Sequence, residues 1–197
     1  MSERPGLVGD RAAAAPLAMG RLGMKILVLA LSMLFAASIL GYLVIRFRAP
    51  AWPPPGVPRL PGTLWISTLI IVISSFTMQA AVRAVRADRQ RALRTGMALT
   101  MLLGVAFLVS QTLNWFALVA ANLTARTNLY GFTFFMLTGL HAAHVVGGII
   151  PLAVVTARAF RGRYSSAFRP GVEYCAIYWH FLAVVWVVLF ALLEIAG

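Results

Sequence analysis

The sequence has few acidic residues and a single cysteine, and both shortages restrict what the chain can be. Only five Asp and Glu residues occur among 197, and charged residues make up 11% of the chain, whereas soluble domains carry about a quarter. The five carboxylates lie in tails, loops or the ends of apolar runs, so no carboxylate pair suited to general acid–base catalysis is present. The lone Cys175 excludes an internal disulfide and a cysteine metal cluster within this chain, and we interpret it as a small packing residue.

Basic residues are in excess, and the net charge is +12. A charge of this size is also found in proteins that bind nucleic acid. Here, however, the arginines lie in short segments between apolar runs, which is typical of charges that flank membrane spans. We therefore expect membrane lipids as partners and no nucleic acid.

Five apolar runs are long enough to cross a bilayer as helices. They predict an all-α membrane protein with spans at about 24–47, 63–84, 95–122, 129–157 and 173–196. Residues 23–197 would form one five-helix transmembrane domain, and residues 1–22 a mobile cytoplasmic tail. A cleaved signal peptide is the competing interpretation of the N-terminal part, but the apolar run 26–45 is longer than a signal sequence normally has. The proline-rich loop 51–62 either spaces two spans or docks a partner.

The distribution of lysine and arginine predicts the orientation of the spans. If the N-terminus is cytoplasmic, thirteen basic residues fall in cytoplasmic segments and four in external ones. The C-terminus would then be periplasmic or external. The five tryptophans mostly fall near predicted span ends, as expected for residues that anchor a helix at the membrane interface.

The chain's three histidines lie in the last two predicted spans. His141 and His144 are one turn apart, on the same face as Thr138, in a stretch without charged residues. In the last span, Glu173 precedes His180 by about two turns and shares its face. Because polar groups in a membrane normally face protein, we expect the two helices to pack through these faces. The predicted structural network contains Thr138, His141, His144, Glu173 and His180, with His144 the best partner for Glu173.

Two metal-based alternatives use the same residues. A haem would be held by one histidine from each helix, such as His141 and His180. A zinc ion would be held by His141 and His144, with Glu173 and His180 completing its ligands. We favour the hydrogen-bond network over both. A second polar pair, Gln111 and Asn114 on the third span, is expected to bond neighbouring helices, with substrate contact as the alternative.

Two stretches carry a combined pattern, YGFTFFMLTGLHAAHVVGG (130–148) and GVEYCAIYWHFLAVVWVVLF (171–190). The first resembles the histidine-bearing helix of cytochrome c oxidase subunit III, and the second is similar to that family's last helix. SSFTMQAA (74–81) and LGVAFLVSQTLNW (103–115) resemble two preceding helices, and WPPPG (52–56) a loop of the family. The resemblance covers about residues 22–196 and corresponds to a short, five-helix bacterial form.

The resemblance implies a function in aerobic respiration, in the plasma membrane of a bacterium. The chain would be a non-catalytic subunit of a haem-copper oxidase, which reduces oxygen with electrons from cytochrome c or quinol and pumps protons. Haems and copper would lie in partner subunits, and this chain would have no cofactor of its own. It would pack beside catalytic subunit I, stabilise it and hold phospholipid. An accessory subunit of nitric oxide reductase and a small haem b redox protein are the alternatives.

The sequence departs from the family pattern at three membrane carboxylates. Leu31 stands where the family typically has Glu, Asn114 stands where Glu is usual, and Ala183 replaces an Asp. Leu, Asn and Ala cannot take up and release a proton as a carboxylate does. These departures imply little direct role in proton delivery, unless a partner subunit supplies the carboxylates.

Overall fold

A computed structural model of the chain describes the backbone of residues 6–196 and the side chains of residues 19–195. It contains five helices and, within the described backbone, no strand: α1 (Gly6–Arg48), α2 (Thr63–Arg86), α3 (Gln90–Ala120), α4 (Leu129–Phe160) and α5 (Pro170–Ala196). All five are long and apolar enough to cross a membrane. The expected all-α, five-span architecture is therefore confirmed.

The helix ends follow local sequence signals. Asn128 precedes α4, and its side-chain oxygen accepts a hydrogen bond from Gly131 N at 2.7 Å, which satisfies one free N–H at the helix start. Pro170 is the first residue of α5, a position where a missing N–H costs nothing. Asp88, in the short α2–α3 connection, has a φ of 50°, a left-handed conformation that Asp tolerates better than most residues.

The largest difference from the predicted boundaries is at the start of α1. The expected span begins near residue 24, but the helix begins at Gly6. Its first turns include a run of four alanines, and alanine has the highest helix propensity. The expected tail, 1–22, is thus helical from Gly6, and residues 1–5 lie outside the described residues.

Helices α2 to α5 form a closed ring in which each packs on the next and α5 returns to α2. Helix α1 lies outside the ring and, within the part of the chain that the structure describes, packs only on α4 and α5. Its inward residues Phe35 and Tyr42 are almost fully buried. The loop after α1 folds back onto the bundle, where the Trp52 indole N–H lies 3.2 Å from the Tyr42 hydroxyl and the indole packs on Tyr130.

Two tryptophans of α5 fill the centre of the ring. Trp179 and Trp186 are 0% and 1% exposed, so these two are core residues, unlike the interface anchors expected of most tryptophans in the chain. The Trp179 indole N–H donates to Ser74 Oγ, and the Trp186 indole N–H to Thr68 Oγ1, each at 3.0 Å. Both acceptors lie on α2. A tryptophan can therefore be buried deep in this bundle because a small hydroxyl residue satisfies its only donor.

Glycines allow two of the closest contacts with α5. A Cβ added at Gly104 of α3 would lie 2.7 Å from the Trp179 ring. A Cβ at Gly148 of α4 would lie 2.7 Å from the Tyr178 ring. Small residues at such positions bring membrane helices together.

Candidate functional site

His180 joins α5 to α2. Its Nδ1 lies 2.5 Å from Ser75 Oγ, and its Nε2 lies 3.1 Å from Gln79 Oε1. Because the amide oxygen can only accept, Nε2 carries the proton, and a neutral ring then accepts the Ser75 hydroxyl proton at Nδ1. His180 thus links α5 to α2 with both ring nitrogens used.

His144 faces a cleft between α1, α4 and α5. Its Nδ1 bonds the Leu140 carbonyl within α4 at 2.7 Å. Its backbone carbonyl accepts a hydrogen bond from the Tyr178 hydroxyl at 3.0 Å. The cleft has a volume of about 570 Å³ and a mainly apolar lining, to which Leu31, Gly147 and Cys175 contribute.

His141 lies in the interior among aromatic rings. It is 0% exposed, and its ring centroid lies 5.1 Å from that of Trp186 and 5.8 Å from that of Phe107. Neither of its ring nitrogens has a hydrogen-bond partner among the described side chains and backbone.

Thr138 joins α4 to α3. Its hydroxyl accepts the Trp115 indole N–H at 3.1 Å and donates to the Phe134 carbonyl at 2.7 Å. The hydroxyl therefore both accepts and donates a hydrogen bond, and its partners lie on α3 and on α4 itself.

Glu173 lies near the start of α5 and forms ion pairs with two arginines. Its Oε1 is 2.9 Å from Arg169 Nε and 3.2 Å from Arg86 Nη2. It links α2 to α5 at the end of the bundle where the short α2–α3 connection lies.

The predicted single network therefore needs correction. Within the described residues, no hydrogen bond joins any two of Thr138, His141, His144, Glu173 and His180. The pairing of His144 with Glu173 is wrong, because two arginines bind the carboxylate and a helix carbonyl binds the histidine. The physical reason is that His180 and Glu173 of α5 reach partners on α2, whereas Thr138 of α4 bonds α3.

The partners on α2 were missed, although the sequence carries a signal for them. Ser75 and Gln79 are one turn apart, so both reach the same side of α2. Ser67, Thr68 and Ser74 have the same role of bonding another helix. Hydroxyl residues in a membrane helix often bond their own backbone, which makes their use between helices difficult to recognise from spacing alone.

Gln111 and Asn114 differ in their contacts, although both are buried. Asn114 Nδ2 donates to Ser67 Oγ at 3.0 Å, and its Oδ1 accepts from the Thr63 hydroxyl. Asn114 thus bonds a neighbouring helix, as expected. Gln111 is 0% exposed, and neither its amide oxygen nor its amide nitrogen has a hydrogen-bond partner in the described part of the chain.

Leu31, Asn114 and Ala183, the three positions where the resemblance led us to expect carboxylates, all lie beside polar groups. Leu31 lines the same cleft as His144. Ala183 lines a groove together with Ser75 and lies one turn after His180. Asn114 bonds α2 directly. Leu31, Asn114 and Ala183 therefore place no carboxylate beside these polar groups, whose hydrogen bonds go to neutral side chains or to the backbone.

Residues 19–195 contain no group of three or more His, Cys, Asp and Glu side chains arranged to hold a metal ion. His180 uses both ring nitrogens for bonds to α2. The arrangement is therefore that of a packed helical scaffold with a lateral cleft.

The sequence model of the family "Cytochrome c oxidase subunit III" matches residues 6–197. The chain belongs to the cytochrome c oxidase subunit III family. It is similar to "Cytochrome c oxidase subunit 3" of Synechocystis sp., with 35% identity over 86% of this chain and 72% of the relative. It is also similar to the protein of that name in Thermostichus vulcanus, with 33% identity over 88% of this chain and 86% of the relative. "Probable cytochrome c oxidase subunit 3" of Mycobacterium leprae is 30% identical over 82% of this chain and 80% of the relative.

Membership of this family makes the chain subunit III of a haem-copper oxidase and a multi-pass membrane protein. Its partners are other subunits of that oxidase. The alternatives of a nitric oxide reductase accessory subunit and a small haem b protein are not favoured.

Proposed function

We propose that this chain is a non-catalytic scaffold of the oxidase, which packs beside catalytic subunit I in a bacterial plasma membrane. The observation that carries the proposal is the environment of the three histidines. His180 is bonded through both nitrogens to α2, His144 to its own helix, and His141 is enclosed by aromatic rings. Haems and copper then belong to partner subunits, where oxygen is reduced with electrons from cytochrome c or quinol.

The test is purification of the intact oxidase in a gentle detergent, followed by separation of this subunit. We expect subunit I to co-purify, and we expect the haem Soret absorbance to remain with the partner subunits. A Soret band that stays with this polypeptide after separation would contradict the proposal.

The lateral cleft is the proposed site of a phospholipid. Its wall is mainly apolar, as an acyl chain requires. Beside it lies a polar recess of about 220 Å³ lined by Arg21, Arg169 and Tyr174, and Tyr174 lines the cleft as well. Arg21 is placed to attract an anionic head group, whereas Arg169 is already paired with Glu173, which also lines the recess.

A pair of glycine variants tests the lipid proposal. Gly147 lines the cleft, and a Cβ there would meet no atom within 4 Å; the same is true of Gly139, which is outside the cleft lining. We expect Gly147→Leu to reduce the phospholipid that co-purifies with the oxidase, as measured by mass spectrometry, and Gly139→Leu to leave it unchanged. Equal lipid content in both variants would contradict this site.

A further part of the proposal is that the subunit has little direct role in proton delivery. Leu31, Asn114 and Ala183 provide no titratable group at the three positions where the resemblance implies family carboxylates. In the reconstituted oxidase, we expect His141→Gln/His144→Gln to leave the number of protons pumped per electron unchanged and to weaken the complex. Loss of pumping in an intact complex would assign the subunit a more active part.

We also propose that the connection 87–89 is cytoplasmic and that the C-terminal end of α5 is external, because of the thirteen-to-four distribution of basic residues. Cys175 is buried, so Cys175→Ala gives a suitable background for labelling. A single cysteine at position 89 should react only from the cytoplasmic side, and one at position 128 only from outside. Labelling of position 89 from outside would reject the topology.

A further inference from the structure

Two fully buried polar side chains on adjacent helices have no hydrogen-bond partner. Gln111 of α3 and His141 of α4 are both 0% exposed. The four polar atoms concerned, Gln111 Oε1 and Nε2 and His141 Nδ1 and Nε2, have no partner among the described residues. Buried polar groups in native proteins are normally satisfied by protein or by an ordered water.

Contacts on either side of Gln111 place it level with His141. Phe107, one turn before Gln111, packs edge-on against the His141 ring at 5.8 Å between centroids. Trp115, one turn after Gln111, bonds Thr138 at 3.1 Å. Because one turn rises about 5.4 Å, Gln111 lies at the height of the α4 segment between Thr138 and His141. The two unsatisfied side chains thus occupy one layer of the bundle.

The neighbouring groups do not supply the missing hydrogen bonds. Phe35, Phe107 and Trp186 surround the His141 ring with aromatic surface. The Trp186 indole N–H is used by Thr68. The Thr138 hydroxyl already donates to Phe134 and accepts from Trp115.

We propose that one ordered water molecule binds between Gln111 and His141 and connects α3 to α4. A water molecule donates two hydrogen bonds and accepts two. The amide of Gln111 supplies both donors and an acceptor, and a neutral imidazole supplies one of each. A buried water needs two to four polar partners, which these two side chains provide within an otherwise aromatic layer. The ligand class is therefore a single small, neutral molecule that both donates and accepts.

A density map of the unmodified oxidase, at a resolution that shows bound water, tests the site directly. We expect a water-sized peak within hydrogen-bond distance of the Gln111 amide and a His141 ring nitrogen. A direct bond between the two side chains, or a layer without such a peak, would overturn the proposal.

Paired substitutions give an independent thermodynamic test. We expect Gln111→Leu and His141→Leu each to lower the unfolding temperature of the subunit in the oxidase by several degrees, since each leaves the other group and the water incompletely bonded. The double variant Gln111→Leu/His141→Leu should lower the unfolding temperature by less than the sum of the two single decreases, because it removes both polar partners together. Additive losses would overturn the shared site.

Thr77 provides the matched control pair. It bonds Thr100 at 2.8 Å, in a separate contact between α2 and α3 that includes neither Gln111 nor His141. We expect the effects of Thr77→Val and His141→Leu to add, because the two sites share no partner. As single substitutions, His141→Gln should lower the unfolding temperature less than His141→Leu, since an amide can still donate to and accept from the water.

Discussion

His180 Nε2 donates to Gln79 Oε1 over 3.1 Å, and this bond ties the last helix of the bundle to the second. It fixes the ring tautomer, so that Nδ1 accepts from Ser75. The YWHF motif of α5 therefore stabilises contact with α2, although the histidine-bearing helix α4 shares no hydrogen bond with His180 among the described residues.

Replacement of His180 by Phe should destabilise the subunit by about 1 to 2 kcal/mol, because Ser75 and Gln79 lose an interhelical partner. Thermal unfolding of the subunit in the purified oxidase would measure this. Gln79→Leu should cost little more in the His180→Phe background, since the bond is already absent. If Gln79→Leu lowers the free energy of unfolding as much in the His180→Phe background as in the unmodified subunit, the two residues act independently.

Gly148→Ala should destabilise the α4–α5 contact by about 1 to 3 kcal/mol through overpacking. The new Cβ would lie 2.7 Å from the Tyr178 ring and 3.3 Å from Leu182 Cδ1. The ring is not free to withdraw, because its hydroxyl bonds the His144 carbonyl. Gly147→Ala is the matched control, since its Cβ would meet nothing within 4 Å, and it should be neutral or slightly stabilising. Equal stability of the two variants in a detergent titration would reject this account of the contact.

Asp88 should make the connection between the α2–α3 and α4–α5 loops dependent on pH. Its carboxylate accepts from Ser166 N at 2.6 Å and from the Ser166 hydroxyl, and these bonds lower the pKa of Asp88 below its ordinary value. A lowered pKa means that the contact is fully present above about pH 4 and is lost as the pH falls through the lowered value. The protection factor of the Ser166 amide, which corrects the exchange rate for its intrinsic pH dependence, should therefore be high near neutral pH and fall in acid.

Asp88→Asn is the control for that measurement, because Asn also tolerates the positive φ of this position. It cannot ionise, so the protection factor at Ser166 should lose its pH dependence and be lower near neutral pH than in the unmodified protein. An unchanged pH profile in this variant would assign the dependence to another group.

Asn114→Leu should weaken the α2–α3 contact by about 1 to 3 kcal/mol, since it removes partners from the buried Ser67 and from Thr63. Ser110→Ala is the milder comparison, because Ser67 bonds Ser110 at 2.7 Å but retains Asn114. The detergent concentration at which the subunit dissociates would rank the two variants. A greater effect of Ser110→Ala would show that the amide is not the main link.

The number of helices and most of their ends could be predicted from the sequence, because apolar run length has a direct physical meaning in a membrane. Four of the five predicted spans begin within about five residues of the observed helix starts. The early start of α1 could not be predicted in this way, since it depends on helix propensity outside the apolar run rather than on hydropathy.

The polar contacts were harder to predict than the helices. Spacing shows that His141 and His144 share a face, and that Ser75 and Gln79 share another, but spacing does not show which faces meet. His180 could equally have reached α4, because α5 packs on both α2 and α4. The rotation of α5 about its own axis decides for α2, and hydropathy does not reveal it. Trp179 and Trp186 illustrate the same limit, because their burial depends on hydroxyl groups supplied by a different helix.

The closed ring also has a consequence for biogenesis. Helix α5 is synthesised after α1 to α4, and it carries Trp179 and Trp186, which fill the space between the three preceding helices and bond Ser74 and Thr68 of α2. Until α5 inserts, Ser74 and Thr68 therefore lack the indole partners that they have in the complete ring. Insertion of α5, rather than of any earlier helix, completes the packed body that this subunit presents to its partners.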